Sequence, residues 1–168
     1  MVLMSKEEAS NILHFEGLDN VLLSQDRSRQ VDHLSCYLPK ESSVQMVLAE
    51  RLAYLLCREN ECWAYLTDWN ASPTSMCYDL FYGYRLGRGD RRPLAEASVY
   101  NFLPDDVQSF MSVISMILYF SWDAWIFDAR LTYLVNISND GIIECSVDSR
   151  ELKNQLATEF SRLKMPCS

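Results

Sequence analysis

Proton transfer near neutral pH draws first on histidine, and this chain has two, His14 and His33. Both lie in the polar amino-terminal third, and neither stands beside a plausible nucleophile. The sequence carries no GxSxG elbow, no phosphate-binding GxxxxGKS/T loop, no GxGxxG and no HExxH. Gly87-Arg88-Gly89-Asp90 is glycine-rich, but no strand–loop–helix pattern follows it. Asp123 and Asp128 flank a Trp-Ile-Phe run and could pair as acid and base if both faced one cleft. On one strand, however, residues five apart point to opposite faces. Asp128 and Arg130 would share a face, and a solvated ion pair there is worth at most ~1 kcal/mol. These residues point to no catalytic centre and imply no cofactor.

Metal chemistry fares no better. The six cysteines are Cys36, Cys57, Cys62, Cys77, Cys145 and Cys167. Zinc sites use closely spaced ligand pairs, and the nearest approach is Cys57 with Cys62, without a second pair. The opening Met1-Val2-Leu3-Met4-Ser5-Lys6-Glu7-Glu8 lacks the apolar stretch of a signal peptide. No unbroken apolar run, 117–120 included, is nearly long enough to span a bilayer. The expectation is a cytosolic protein, without membrane association, whose cysteines are reduced.

Charge says more about partners. The net charge is −8, and residues 101–148 carry seven acids (Asp105, Asp106, Asp123, Asp128, Asp140, Glu144, Asp148) against Arg130 alone. Residues 85–92 hold four arginines and one aspartate. Such an acidic field repels phosphate backbones and attracts cations, which argues against nucleic acid and for a basic protein partner. Tryptophan and tyrosine with a charged rim are common interface anchors. Trp63 and Trp125 alternate with strand neighbours and read as core. Trp69 and Trp122, beside Asp68 and Asp123, are balanced between core and interface. The candidate partner-binding set is therefore Trp69, Asp105, Asp106, Trp122 and Asp123, with the seven acids expected to form one connected surface.

The elements that must position these residues follow from periodicity. Ser5 and Glu8 have capping-box spacing for a helix to about residue 14, ended by Gly17. Segment 24–30 is a polar loop, and 34–38 a strand stopped by Pro39. Val44, Val47, Leu48, Leu52, Leu55 and Leu56 stripe a helix capped by Ser42 or Ser43. Trp63, Tyr65 and Thr67 mark a strand over 61–68. The aromatics Tyr78, Phe81, Tyr82 and Tyr84 fit a helical turn or a strand, and 86–93 reads as loop. Pro104-Asp105-Asp106 starts a helix to about residue 120, apolar on most of its circumference and so buried on two sides.

Residues 122–137 read as one long strand, with Trp125, Phe127, Ala129, Leu131, Tyr133, Val135 and Ile137 on one face. Asn139-Asp140-Gly141 then turns the chain. A two-residue loop would put Ile143 and Cys145 on the wrong face. A three-residue loop pairs Ile137 with Ile143, Val135 with Cys145 and Tyr133 with Val147, and needs Gly141 left-handed. Asp148 caps a last helix with a stripe of Leu152, Leu156, Phe160 and Leu163. The sum is a single α+β domain over 1–168: a small antiparallel sheet with a carboxy-proximal hairpin, packed against four or more helices.

Over residues 62–127 the order Thr67-Asp68-Trp69, Asp79-Leu80-Phe81-Tyr82, an arginine-rich loop, Pro104-Asp105-Asp106 and Trp122-Asp123-Ala124-Trp125 resembles small bacterial immunity-type proteins of polymorphic toxin systems. The resemblance implies an acidic, catalytically empty domain that acts by binding a basic toxin. Two other readings stand beside it: a small-molecule-binding or enzymatic domain with an aromatic pocket among Trp63, Tyr65, Tyr82 and Trp125, and a structural homo-oligomer joined by exposed aromatics.

Overall fold

The computed structural model describes residues 1–14, 20, 22, 32–58, 60–68, 76–93, 96 and 98–168. Trp69, Gly17 and the polar segment 24–30 lie outside the described residues. The elements are β1 (Val2–Met4), α1 (Lys6–Leu13), β2 (Asp32–Tyr37), α2 (Ser42–Leu56), β3 (Cys62–Asp68) and α3 (Met76–Gly87). Then come β4 (Val99–Phe102), a 3-10 turn (Pro104–Asp106), α4 (Val107–Phe120), β5 (Asp123–Phe127), β6 (Tyr133–Ser138), β7 (Ile142–Val147) and α5 (Arg150–Arg162). The strands pair antiparallel in the order β1-β4-β3-β5-β6-β7-β2. This is the α+β class that the sequence indicates, with a wider sheet than the small one expected.

Alternation gives the sheet two buried faces. One carries Ala64, Leu66, Tyr100, Ile126, Val135 and Cys145 in the main core with α2, α4 and α5. The other carries Trp63, Tyr65, Val99, Phe127 and Leu134, closed by Met4, Ala9 of α1 and Leu22. The central strand β3 is consequently buried on both sides along 62–66, so its sequence reads as nearly continuous apolar residues.

The long strand read over 122–137 is corrected to two strands of a hairpin. The Asp128 carboxylate accepts from the Thr132 amide at 2.6 Å and from its hydroxyl at 2.9 Å, and Leu131 takes a left-handed φ of 54°. That Asx-type turn reverses the chain. Phe127 then faces Leu134 in register, an odd residue beside an even one, so the parity of the faces flips at the turn. Trp125 and Phe127 belong to the second core, while Tyr133, Val135 and Ile137 belong to the first. The pairing of Asp128 with Arg130 is likewise replaced by Asp128 holding its own turn.

The second hairpin has the register argued from the sequence. Ile137 pairs with Ile143, Val135 with Cys145 and Tyr133 with Val147, and Gly141 has φ +80°. Nothing lies within 4 Å of where a Cβ on Gly141 would stand, so a substitution there meets backbone strain and no clash. Gly141→Val is expected to cost about 1–3 kcal/mol, read as a lower urea midpoint at unchanged slope. A neutral result would contradict the left-handed turn.

Helix boundaries show which local signals govern. Ser5 forms the capping box with Glu8, and His14 closes α1 in the left-handed region. Glu41, not Ser42 or Ser43, precedes α2 and makes no side-chain cap. Ser149, not Asp148, caps α5 by accepting from the Leu152 amide. The ambiguous aromatic run is helical, as α3. In α4, Phe110, Val113, Ile114, Ile117 and Leu118 are buried while Tyr119 is exposed. Trp122 packs at 5.0 Å from both Phe81 and Phe120.

The expectation of uniformly reduced cysteines is corrected. Cys36 of β2 and Cys167 form a disulfide across 131 residues, a separation at which sequence spacing gives no cue. Cys57, Cys62 and Cys145 are free and buried. Burial pushes the Cys145 thiol up to about 12, which keeps it protonated and inert.

Candidate protein-binding site

The sequence-derived site residues do not converge. Trp122 is 1% exposed and serves the core. Asp105 and Asp106 stand before α4, and Asp123 follows it. Fourteen helical residues separate the two places, or about 20 Å at 1.5 Å per residue. Asp106 is held by the amino group of Met1 and accepts from the Leu103 amide at 3.2 Å. The first of these bonds chiefly lowers its pKa.

The sheet itself divides the seven acids. β5 runs from Asp123 to Phe127, so Asp128 in the following turn lies at the other end from Asp123. Asp148 joins that second end, donating its amide to the Thr132 carbonyl at 2.9 Å. The acidic residues are thus spread over both ends of the sheet, with Glu144 exposed midway along β7.

The group at the β6–β7 turn has the better company. Asp123 accepts the Asn139 amide and sits in register with Asp68. Asp140 is exposed in the turn, and Glu41 is exposed at the start of α2. The Leu38 amide donates to the Gly141 carbonyl at 2.8 Å, tying the loop after β2 to this turn. A groove of about 330 Å³ lies between them and the end of α4, lined by Leu38, Pro39, Gln45, Tyr119 and Ser138 with Lys40 at its side. Tyr119 is 64% exposed and Tyr37, at the same end of the sheet, 62%. Two tyrosines, four acids and Lys40 therefore lie at one end of the sheet.

Tyr119 was legible in principle. Gln108, Ser112, Ser115 and Tyr119 recur at steps of four, three and four, a single stripe on a helix. The polar members mark that stripe as the wet side, so the tyrosine ending it is exposed.

The aromatic pocket expected among Trp63, Tyr65, Tyr82 and Trp125 is not formed. The two tryptophans and Tyr65 belong to the second core, whereas Tyr82 packs against the first. A larger cleft of about 730 Å³ lies beside α1, lined by Lys6, Glu7, Glu8, Tyr65, Arg92 and Glu96 among others. Its central cation is engaged: Arg92 donates to Glu8 at 3.2 Å, to the Leu3 carbonyl at 2.7 Å and to Asp90 at 3.1 Å. Among the described residues no cluster of histidine, cysteine and carboxylate side chains could hold a metal, and no helix is long and apolar enough to cross a membrane.

The chain matches no family model, no curated protein and no solved structure.

Proposed function

We propose that this chain is a non-catalytic domain that binds a basic protein partner at the β6–β7 end of its sheet, in the manner of an immunity-type protein. The observation that carries this reading is the pair of exposed tyrosines, Tyr37 and Tyr119, at the end of the sheet that also carries Asp68, Asp123, Asp140 and Glu41. Amphipathic rings lose little conformational entropy on binding and supply apolar area, while the acidic rim speeds encounter with a cationic surface. Asp105 and Asp106 lie too far away to share the contact.

A lysine- and arginine-rich peptide, titrated in a biosensor at low and high salt, tests the charge mechanism. The Glu41→Lys, Asp140→Lys double variant is expected to slow association by several-fold to about tenfold at low salt, with little change in dissociation. Tyr119→Ala is expected to act chiefly on dissociation. Asp105→Lys, at the other end, serves as the comparison. If Asp105→Lys slows association as much as the double variant, the contact is non-specific attraction to net charge, and the site is wrong.

A further inference from the structure

The sheet ends on one side at β2, whose outer edge is a row of backbone groups without a neighbouring strand unless something covers it. The last residues of the chain do so. The Tyr37 amide donates to the Pro166 carbonyl at 2.9 Å, and the Ser168 amide donates to the Ser35 carbonyl at 2.9 Å. Cys36 and Cys167 form the bridge between these bonds and carry the disulfide. Met165 is 6% exposed, and Pro166, Cys167 and Ser168 after it lie along the β2 edge as the flap. Two backbone hydrogen bonds worth about 1 kcal/mol each do not hold such a short strand against its conformational entropy. The covalent bond does.

We propose that the Cys36–Cys167 disulfide is a redox latch that closes the carboxy-terminal flap over the β2 edge and opens it on reduction. Cys36 is 2% exposed, whereas Cys167 lies in the exposed tail, so an incoming thiolate reaches the Cys167 sulfur first. A dithiol reductant attacks there, forming a mixed disulfide and releasing Cys36 as a thiolate that takes up a proton. The reductant's second thiolate then displaces Cys167, which is protonated in turn. The chain gains two electrons and two protons, and the reductant leaves as its own disulfide. With the flap open, the Tyr37 amide and the Ser35 carbonyl become free to pair with another extended chain. The latch therefore reports the thiol–disulfide poise of its surroundings and does not depend on the proposed binding at the turn end.

Native-state hydrogen exchange with and without dithiothreitol at neutral pH tests it. On reduction the Tyr37 and Ser168 amides are expected to lose protection by about tenfold or more, while amides of β6 and β7 keep theirs. Alkylation with iodoacetamide followed by mass mapping should label Cys36 and Cys167 and spare the buried Cys57, Cys62 and Cys145. Cys167→Ser should reproduce the open state without reductant. Should that variant fail to fold, the reduced natural chain still decides the matter. Unchanged protection of Tyr37 in a chain whose Cys36 and Cys167 are shown to be alkylated would overturn the latch. So would a disulfide that resists dithiothreitol until the whole fold melts.

Discussion

Asp90→Ala is expected to cost about 3–5 kcal/mol of folding stability, the range for leaving a buried charge without its partner. Arg85 of α3 is 0% exposed. Its Nη2 donates to Asp90 at 3.0 Å and to the Arg92 carbonyl at 3.2 Å, while Nε and Nη1 have no partner among the described residues. Asp90 is the counter-ion that makes this burial tolerable. It also accepts from the Arg92 amide at 2.9 Å and from the Arg92 guanidinium at 3.1 Å, which fixes the loop after α3. Burial acts to raise the Asp90 pKa, but hydrogen bonds and charge from Arg92 and Arg85 hold it far below the usual carboxylate range. The sign follows: the unfolded chain takes up this proton first, so the stabilisation is complete above about pH 4 and drains away as pH falls below it. Urea unfolding of natural chain and variant should therefore differ most at neutral pH and converge toward strong acid. Asp90→Ala combined with Arg85→Met should recover most of the loss, since the stranded charge is then gone. A single-variant cost under 1 kcal/mol, or a double variant no better than Asp90→Ala, would mean that solvent reaches Arg85.

How far the fold could be read depended on where the deciding interaction lay. The β6–β7 hairpin was legible because its turn, its register and its buried face are all local: Gly141 and the pairing of Ile137 with Ile143 are six residues or fewer apart. The β5–β6 hairpin was hidden by its own regularity. Apolar residues continue to alternate through 122–137, and the Asx turn at Asp128 falls where the alternation gives no break. Only the pairing of Phe127 with Leu134 reveals that the faces exchange. The Cys36–Cys167 bond and the capping of β2 by the tail are contacts across more than 100 residues, and no periodicity encodes them.

The candidate site was legible only in its charge. The acidity of residues 101–148 is real in sequence, yet the sheet carries Asp128 and Asp148 to one end and Asp123 and Asp140 to the other, because successive antiparallel strands reverse direction. Trp122 gave no cue of its own: a tryptophan beside an aspartate fits an interface rim or a helix-to-strand corner equally. Here the left-handed Ser121, φ 54°, turns α4 directly into β5, and the corner drives the indole inward against Phe81 and Phe120. The exposed aromatic is its neighbour Tyr119.

That contrast within one helix supplies the second large effect. Ile114→Ala is expected to cost about 2–5 kcal/mol, the range for emptying an aliphatic core site. Ile114 is 0% exposed, in the middle of α4, where the helix packs against α2 and lies over the sheet's main core. The lost methyl and methylene groups leave a void that rigid neighbours on both sides fill poorly, which favours the upper part of the range. Tyr119→Ala, five residues on and 64% exposed, should change stability by no more than about 0.5 kcal/mol. For a chain of this size each kcal/mol moves the melting midpoint by roughly 2–4 °C, so calorimetry on the two variants separates the cases plainly. Equal shifts would place Tyr119 in the packed structure and withdraw it as a binding anchor. An unchanged midpoint for Ile114→Ala would mean that α4 does not carry the main core, and the architecture built on it would fail.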